Sequence, residues 1–193
     1  MRRVCVFCGS SFGKSPKFKE AAVILGRALA GRRLELVYGG GNVGLMGVVA
    51  DAVLEAGGHV IGVIPEALAA KEVAHRQLPD LRIVGSMHER KAIMADLSDG
   101  FIALPGGMGT LEELCEILTW SQLGMHDKPC GVLNIDGYYD RFLDFLDHAV
   151  GEQLLKQKHR DLVLVHTEAD GLLDLFSHFR KPKVEKWINR GQS

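Results

Sequence analysis

Apolar residues along this chain follow two alternating patterns. Runs such as Val4-Cys5-Val6-Phe7, Leu36-Val37-Tyr38, Val60-Ile61-Gly62-Val63-Ile64 and Phe101-Ile102-Ala103-Leu104 are continuous, as in strands covered on both faces. Between the runs, apolar positions recur every three or four residues, the spacing of one helix face; Leu111, Leu114, Cys115 and Leu118 are the clearest example. The pattern predicts strands at 3–7, 34–38, 60–64, 81–84, 101–104, 131–135 and 162–165. It predicts helices at 16–31, 45–56, 87–97, 138–153 and 169–179, with a further one opened by Thr110. Punctuation agrees, because Pro16 stands in a first turn, Gly31 just past a helix end, and Gly57-Gly58 stops another helix. Parallel strands need crossover helices, so this alternation predicts a single-domain, Rossmann-like α/β fold: a doubly wound, mostly parallel sheet with helices on both faces. Ligands of such sheets bind beyond the carboxyl ends of the strands, where the glycine turns of this chain fall.

Composition narrows the class. At 193 residues and 47% hydrophobic, the chain fits one α/β domain over 1–180, followed by a basic tail over 181–193 with Lys181, Lys183, Lys186 and Arg190. A net charge of −1 argues against general attraction to nucleic acid or membrane, so any anion affinity is local. No stretch approaches the ~18 apolar residues of a membrane span, and the run from Val4 to Phe7 is too short for a signal-peptide core, so a cytoplasmic location is expected. Cys5 and Cys8 spell C-x-x-C, but Cys5 sits inside a strand and no second pair follows; buried thiols are expected, with Cys115 on the apolar side of its helix. The eight histidines form no i, i+4 pair, so no metal and no cofactor is expected.

Three glycine motifs are candidates for chemistry. Gly9-Ser10-Ser11-Phe12-Gly13 fits the G-x-S-x-G turn of serine hydrolases, yet Lys14-Ser15-Pro16 intervenes where a helix should begin at once. Gly39-Gly40-Gly41-Asn42-Val43-Gly44 fits G-x-G-x-x-G, but the next strand ends Val63-Ile64-Pro65 without an acid for a ribose hydroxyl. Pro105-Gly106-Gly107-Met108-Gly109-Thr110 is the most informative. Its glycines permit positive φ and close backbone approach, so that N–H groups converge on an anion at a helix start. Thr110 and Glu113 also fit a capping box, as do Ser86 and Glu89. Arg90 and Lys91 fit no such box: two cations early in a helix oppose its dipole, which suggests an anion that compensates them, although either could simply face water.

Pro105-Gly106-Gly107-Met108-Gly109-Thr110-Leu111-Glu112-Glu113 resembles the PGGxGTxxE signature of the LOG (Lonely Guy) family, and Ser86-Met87-His88-Glu89-Arg90-Lys91 resembles its second block. The similarity runs over roughly 4–166. It implies hydrolysis of the N-glycosidic bond of a cytokinin riboside 5'-monophosphate or of AMP, giving free base and ribose 5-phosphate, by a homodimer with its pocket near the interface. Glu113 matches the family's catalytic glutamate and Arg90 its catalytic arginine. Gly107, Met108, Gly109 and Thr110 would hold phosphate; Leu111 and Glu112 continue the motif, and Glu72, Lys91 and Thr119 match substrate-contacting positions. Members have also been labelled lysine decarboxylases, which would make Lys91 a Schiff-base candidate, but the chain is short for a pyridoxal enzyme. A nucleotide-binding sensor without turnover is the alternative; Glu113 argues against it, since anion binding gains nothing from a carboxylate. An apolar slot for the base cannot be told by periodicity from core residues such as Met46, Met94 or Leu123.

Overall fold

The structure, a computed structural model, describes residues 1–70 and 74–180. Its strands are β1 (Arg3–Phe7), β2 (Glu35–Tyr38), β3 (Val60–Pro65), β4 (Asp80–Val84), β5 (Gly100–Ala103), β6 (Cys130–Leu133) and β7 (Val163–His166). The helices are α1 (Pro16–Gly31), α2 (Gly44–Glu55), α3 (Glu66–Ala69), α4 (Met87–Leu97), α5 (Met108–Gln122), α6 (Asp140–Gly151), α7 (Gln157–Arg160) and α8 (Ala169–His178). All seven strands pair in parallel in the order β4-β3-β2-β1-β5-β6-β7. β1 lies at the centre, Val4 facing Leu36 on one side and Gly100 on the other. The strand order reverses between β1 and β5, so their carboxyl ends splay apart and leave a crevice there.

Strand residues are apolar on both faces because both are covered. Val4, Val6, Leu36 and Ile102 pack towards α1, α2 and α8 with Leu25, Leu29, Val53 and Leu172. Cys5, Phe7, Val37 and Phe101 pack towards α4 and α5 with Met94 and Ile117. A third cluster joins Leu114 of α5 to Val132 and Tyr139, with Phe142 and Leu146 of α6 against it. Each fully buried leucine contributes about 1.5–3 kcal/mol. α1 and α2 pack tightly at Gly26, where a Cβ would lie 2.7 Å from that of Ala52.

The expected elements form, with ends shifted by one or two residues, and three details differ. The short helices α3 and α7 were not anticipated, since one turn leaves no periodicity to read. The expected helix from 138 starts at Asp140 and is preceded by a 3-10 turn, Ile135–Gly137, with Asp136 at φ 55°. Cys115 is exposed rather than on the buried side of α5, whereas Cys5, Cys8 and Cys130 are buried thiols. No described helix is long and apolar enough to cross a membrane. Glu72 and the tail 181–193 lie outside the described residues.

Candidate active site

The start of α5 sits at the crevice. Leu104 is fully buried and its N–H donates to Phe7 O (2.9 Å), while Pro105 O accepts from Gly9 N–H (3.1 Å), so the loops after β1 and β5 are tied together. The helix begins earlier than the capping box implies. Gly107 is the N-cap and has no side chain to cap with, and Thr110, third in the helix, is buried. Its hydroxyl stands where a Cβ on Gly106 would be, 2.1 Å away. The first amides of α5 are therefore left without a side-chain acceptor, the condition for binding an anion. The reason for the glycines also changes: Gly106, Gly107 and Gly109 are not among the residues with positive φ. Gly106 is needed for close approach, since a Cβ there would lie 2.8 Å from Gly9 N, whereas a Cβ at Gly107 or Gly109 would meet nothing within 4 Å.

Two tyrosines that the sequence did not single out fix this loop from behind. The buried Tyr139 hydroxyl donates to Leu104 O (2.6 Å) and that of Tyr138 to Gly106 O (2.5 Å). Asn134 Oδ1 accepts from Tyr139 N–H (2.8 Å), holding the pair at the end of β6. By engaging the loop's carbonyls they leave its amides turned the other way. Only the Asn134-to-Tyr139 string at a strand's carboxyl end hints at such a role.

α4 supplies the cation. The box at its start is real: Glu89 N–H donates to Ser86 Oγ (3.1 Å), and Glu89 Oε2 accepts from Gly85 N–H (2.8 Å). Arg90, one residue on, turns inward and is 9% exposed. Its Nε donates to Val63 O (3.2 Å) and its Nη2 lies 3.0 Å from Glu113 Oε1. Gly39 makes the room, because a Cβ there would fall 2.2 Å from that Nη2. The G-x-G-x-x-G segment therefore serves partly to admit an arginine, and Gly41 bridges Ala74. Burial pushes the Glu113 carboxyl above its ordinary pKa, and the charge of Arg90 opposes that rise only in part. A buried ion pair gives little net stability after desolvation, so its place on a cavity wall points to function.

Arg90 and Glu113 line a cavity of about 470 Å³, within the range of small-ligand pockets. Gly107, Met108, Gly109, Thr110 and Glu112 form one wall of it, and Val43, Met46, Ile64, Leu68 and Met87 give it an apolar side. Of the residues periodicity left ambiguous, Met46 faces the cavity and Met94 is core. Other predicted residues lie elsewhere. Lys91 neither faces water nor lines the cavity; its Nζ bridges Glu112 (2.6 Å) and Glu116 (3.0 Å). Burial opposes its charge, but hydrogen bonds to these carboxylates hold its pKa above the ordinary value. Such a locked ammonium is unsuited to a Schiff base, which needs the neutral amine. Leu111 packs beside Tyr139 and Phe142, so only its backbone can serve the site. Thr119 is exposed farther along α5, its hydroxyl donating to Cys115 O (2.7 Å). Cys8 reaches the cavity, yet burial, with the Glu113 charge, keeps its thiol protonated. In the G-x-S-x-G stretch no helix follows until Pro16.

An open helix start and a buried arginine–carboxylate pair on one cavity, at the strand-order reversal of a parallel sheet, place the molecule in the Rossmann-like class of α/β proteins. Within that class the chain belongs to the LOG family. Residues 46–176 match the family model described as "Possible lysine decarboxylase". The chain is 56% identical over 172 residues, covering 89% of itself and 76% of its relative, to "Probable cytokinin riboside 5'-monophosphate phosphoribohydrolase LOGL9" of Oryza sativa subsp. japonica. It is 54% identical over 163 residues, 84% of itself and 76% of the relative, to "Cytokinin riboside 5'-monophosphate phosphoribohydrolase LOG3" of Arabidopsis thaliana. Among solved structures, the molybdenum cofactor binding protein from Rippkaea orientalis superposes with a TM-score of 0.69, covering 92% of this chain and 97% of that one; at 22% identity the likeness is one of fold.

Proposed function

We propose that this protein hydrolyses the N-glycosidic bond of cytokinin riboside 5'-monophosphates, and of AMP, releasing the base and ribose 5-phosphate. The observation that carries it is the buried Arg90–Glu113 pair, at 3.0 Å, on the cavity that the uncapped start of α5 also faces. The amides of Met108, Gly109 and Thr110 hold the 5'-phosphate at the positive end of the helix. Glu113, one turn along, then faces the ribose. Breaking the bond sends its electron pair to the base and leaves positive charge on the sugar; a carboxylate beside C1' stabilises that charge and orients water. The hydroxyl of water joins C1' and its proton ends on the departing base. A guanidinium is a poor general acid, so Arg90 positions Glu113 and the substrate. Met46, Ile64, Leu68 and Met87 favour a base with an apolar substituent.

The test is to incubate the protein with isopentenyladenosine monophosphate and with AMP and assay free base and ribose 5-phosphate. The prenylated nucleotide should be turned over with the lower KM, and absence of product from both would reject the assignment. Family resemblance further supports a cytoplasmic homodimer with the cavity near its interface, for which sedimentation should give twice the chain mass of 21.1 kDa.

A further inference from the structure

A second cavity, about 270 Å³, lies on the other side of the loops after β1 and β5 and shares Gly9, Ser10 and Gly107 with the first. A monophosphate seated on α5 with its sugar towards Glu113 leaves this cavity empty. We propose that the site also takes nucleoside 5'-phosphodiesters, the second arm on the phosphate being an uncharged aromatic group received by Phe12, Phe18 and Tyr138. The proposal rests on the phosphate position argued above.

Three observations select that chemistry. No ionisable acid or base lines the second cavity apart from the phenol of Tyr138, and that hydroxyl is committed to Gly106 O at 2.5 Å, so none of the lining side chains offers a charged arm a counter-ion. The Phe18 and Tyr138 rings meet edge to face, centroids 5.4 Å apart at 77°, a geometry that a third ring can extend. Phe12 is 53% exposed although it lies at the cavity, and Lys19 Nζ stands 5.7 Å from its ring centroid. Gly107 lines both cavities without a side chain, and a Cβ there would meet nothing within 4 Å. The volume far exceeds the ~30 Å³ that one water takes, and suits a ring.

Phenyl and methyl esters of AMP decide the matter, since both carry the same charge on phosphorus and differ only in the arm. Titration calorimetry on the full chain should show the phenyl ester binding roughly tenfold more tightly, the size of one aromatic contact. Phe12→Ala should cut that preference to less than about threefold while leaving AMP turnover unchanged. Equal affinity of the two esters for the unaltered protein, or a preference untouched by Phe12→Ala, would overturn the proposal. Turnover is assayed separately: if no nucleotide is hydrolysed but the phenyl preference holds, the hydrolase assignment falls and the aromatic subsite stands.

Discussion

The proposed reaction sets two opposed demands on Glu113, to stay ionised and to sit only 9% exposed beside Arg90. Burial lifts its pKa and Arg90 holds the rise in check. Turnover that needs the carboxylate should therefore lose its rate with falling pH at a point above the ordinary glutamate range, roughly pH 4. Removing the opposing charge with Arg90→Gln should move that acid limb to still higher pH, as a kcat–pH profile would record. Glu113→Gln keeps the shape and an acceptor for Arg90 but loses the charge; it should lower kcat by about 100- to 10,000-fold with nucleotide binding and circular dichroism nearly unchanged. The sequence suggested an anion beside Arg90, with water as the alternative. That the anion is Glu113, 23 positions away on another helix, depends on how α4 and α5 pack, which local spacing does not encode. The same packing gives Lys91 to Glu112 and Glu116, so a cation that could have faced water is occupied instead.

The strand, turn and helix around Gly106 were legible because a continuous apolar run gives way to glycines and then to helical spacing. Where α5 begins was not. Thr110 and Glu113 have the right types and separation for a capping box, yet the helix extends back to Met108, with Thr110 packed into the space that the missing Cβ of Gly106 leaves. That choice uncaps the amides and turns Thr110 inward. Gly106→Ala would set a methyl 2.1 Å from Thr110 Oγ1 and 2.8 Å from Gly9 N, with both the helix start and the β1 loop in the way. It should cost about 1–3 kcal/mol, read from the urea midpoint, and raise KM for nucleotide. Tyr139→Phe tests the rear support by leaving the buried Leu104 carbonyl without its side-chain donor. A loss of about 1–3 kcal/mol is expected. Tyr138→Phe, at a 43% exposed residue, should cost less.

Alternating patterns were enough to predict a doubly wound sheet, but the strand order β4-β3-β2-β1-β5-β6-β7 was not, because a buried parallel strand reads the same wherever it pairs. That order separates the molecule into two ends with opposite responses to acid. At the amino ends of the strands, a hydrogen bond from Arg3, with help from Arg2, holds the Glu35 carboxyl below its ordinary pKa. Arg82 does the same for Asp80 at the start of β4. Burial works against the Asp99 carboxylate just before β5, but the backbone N–H groups of Arg2 and Arg3, at 2.6 and 3.0 Å, outweigh it. Groups with depressed pKa stabilise the fold above their unfolded values, and that contribution goes as pH falls through the folded ones. Glu113, at the carboxyl ends, has the opposite sign: its contribution to stability is present below the unfolded pKa and lost as pH rises through the raised one, so protonating it does not unfold the protein. Acidification should therefore remove function before structure. Turnover should decline while near-ultraviolet circular dichroism is still native, and unfolding should follow only below roughly pH 4, where the amino-end carboxylates protonate. Activity and dichroism that collapse together across one acid transition would show that the two ends are not independent.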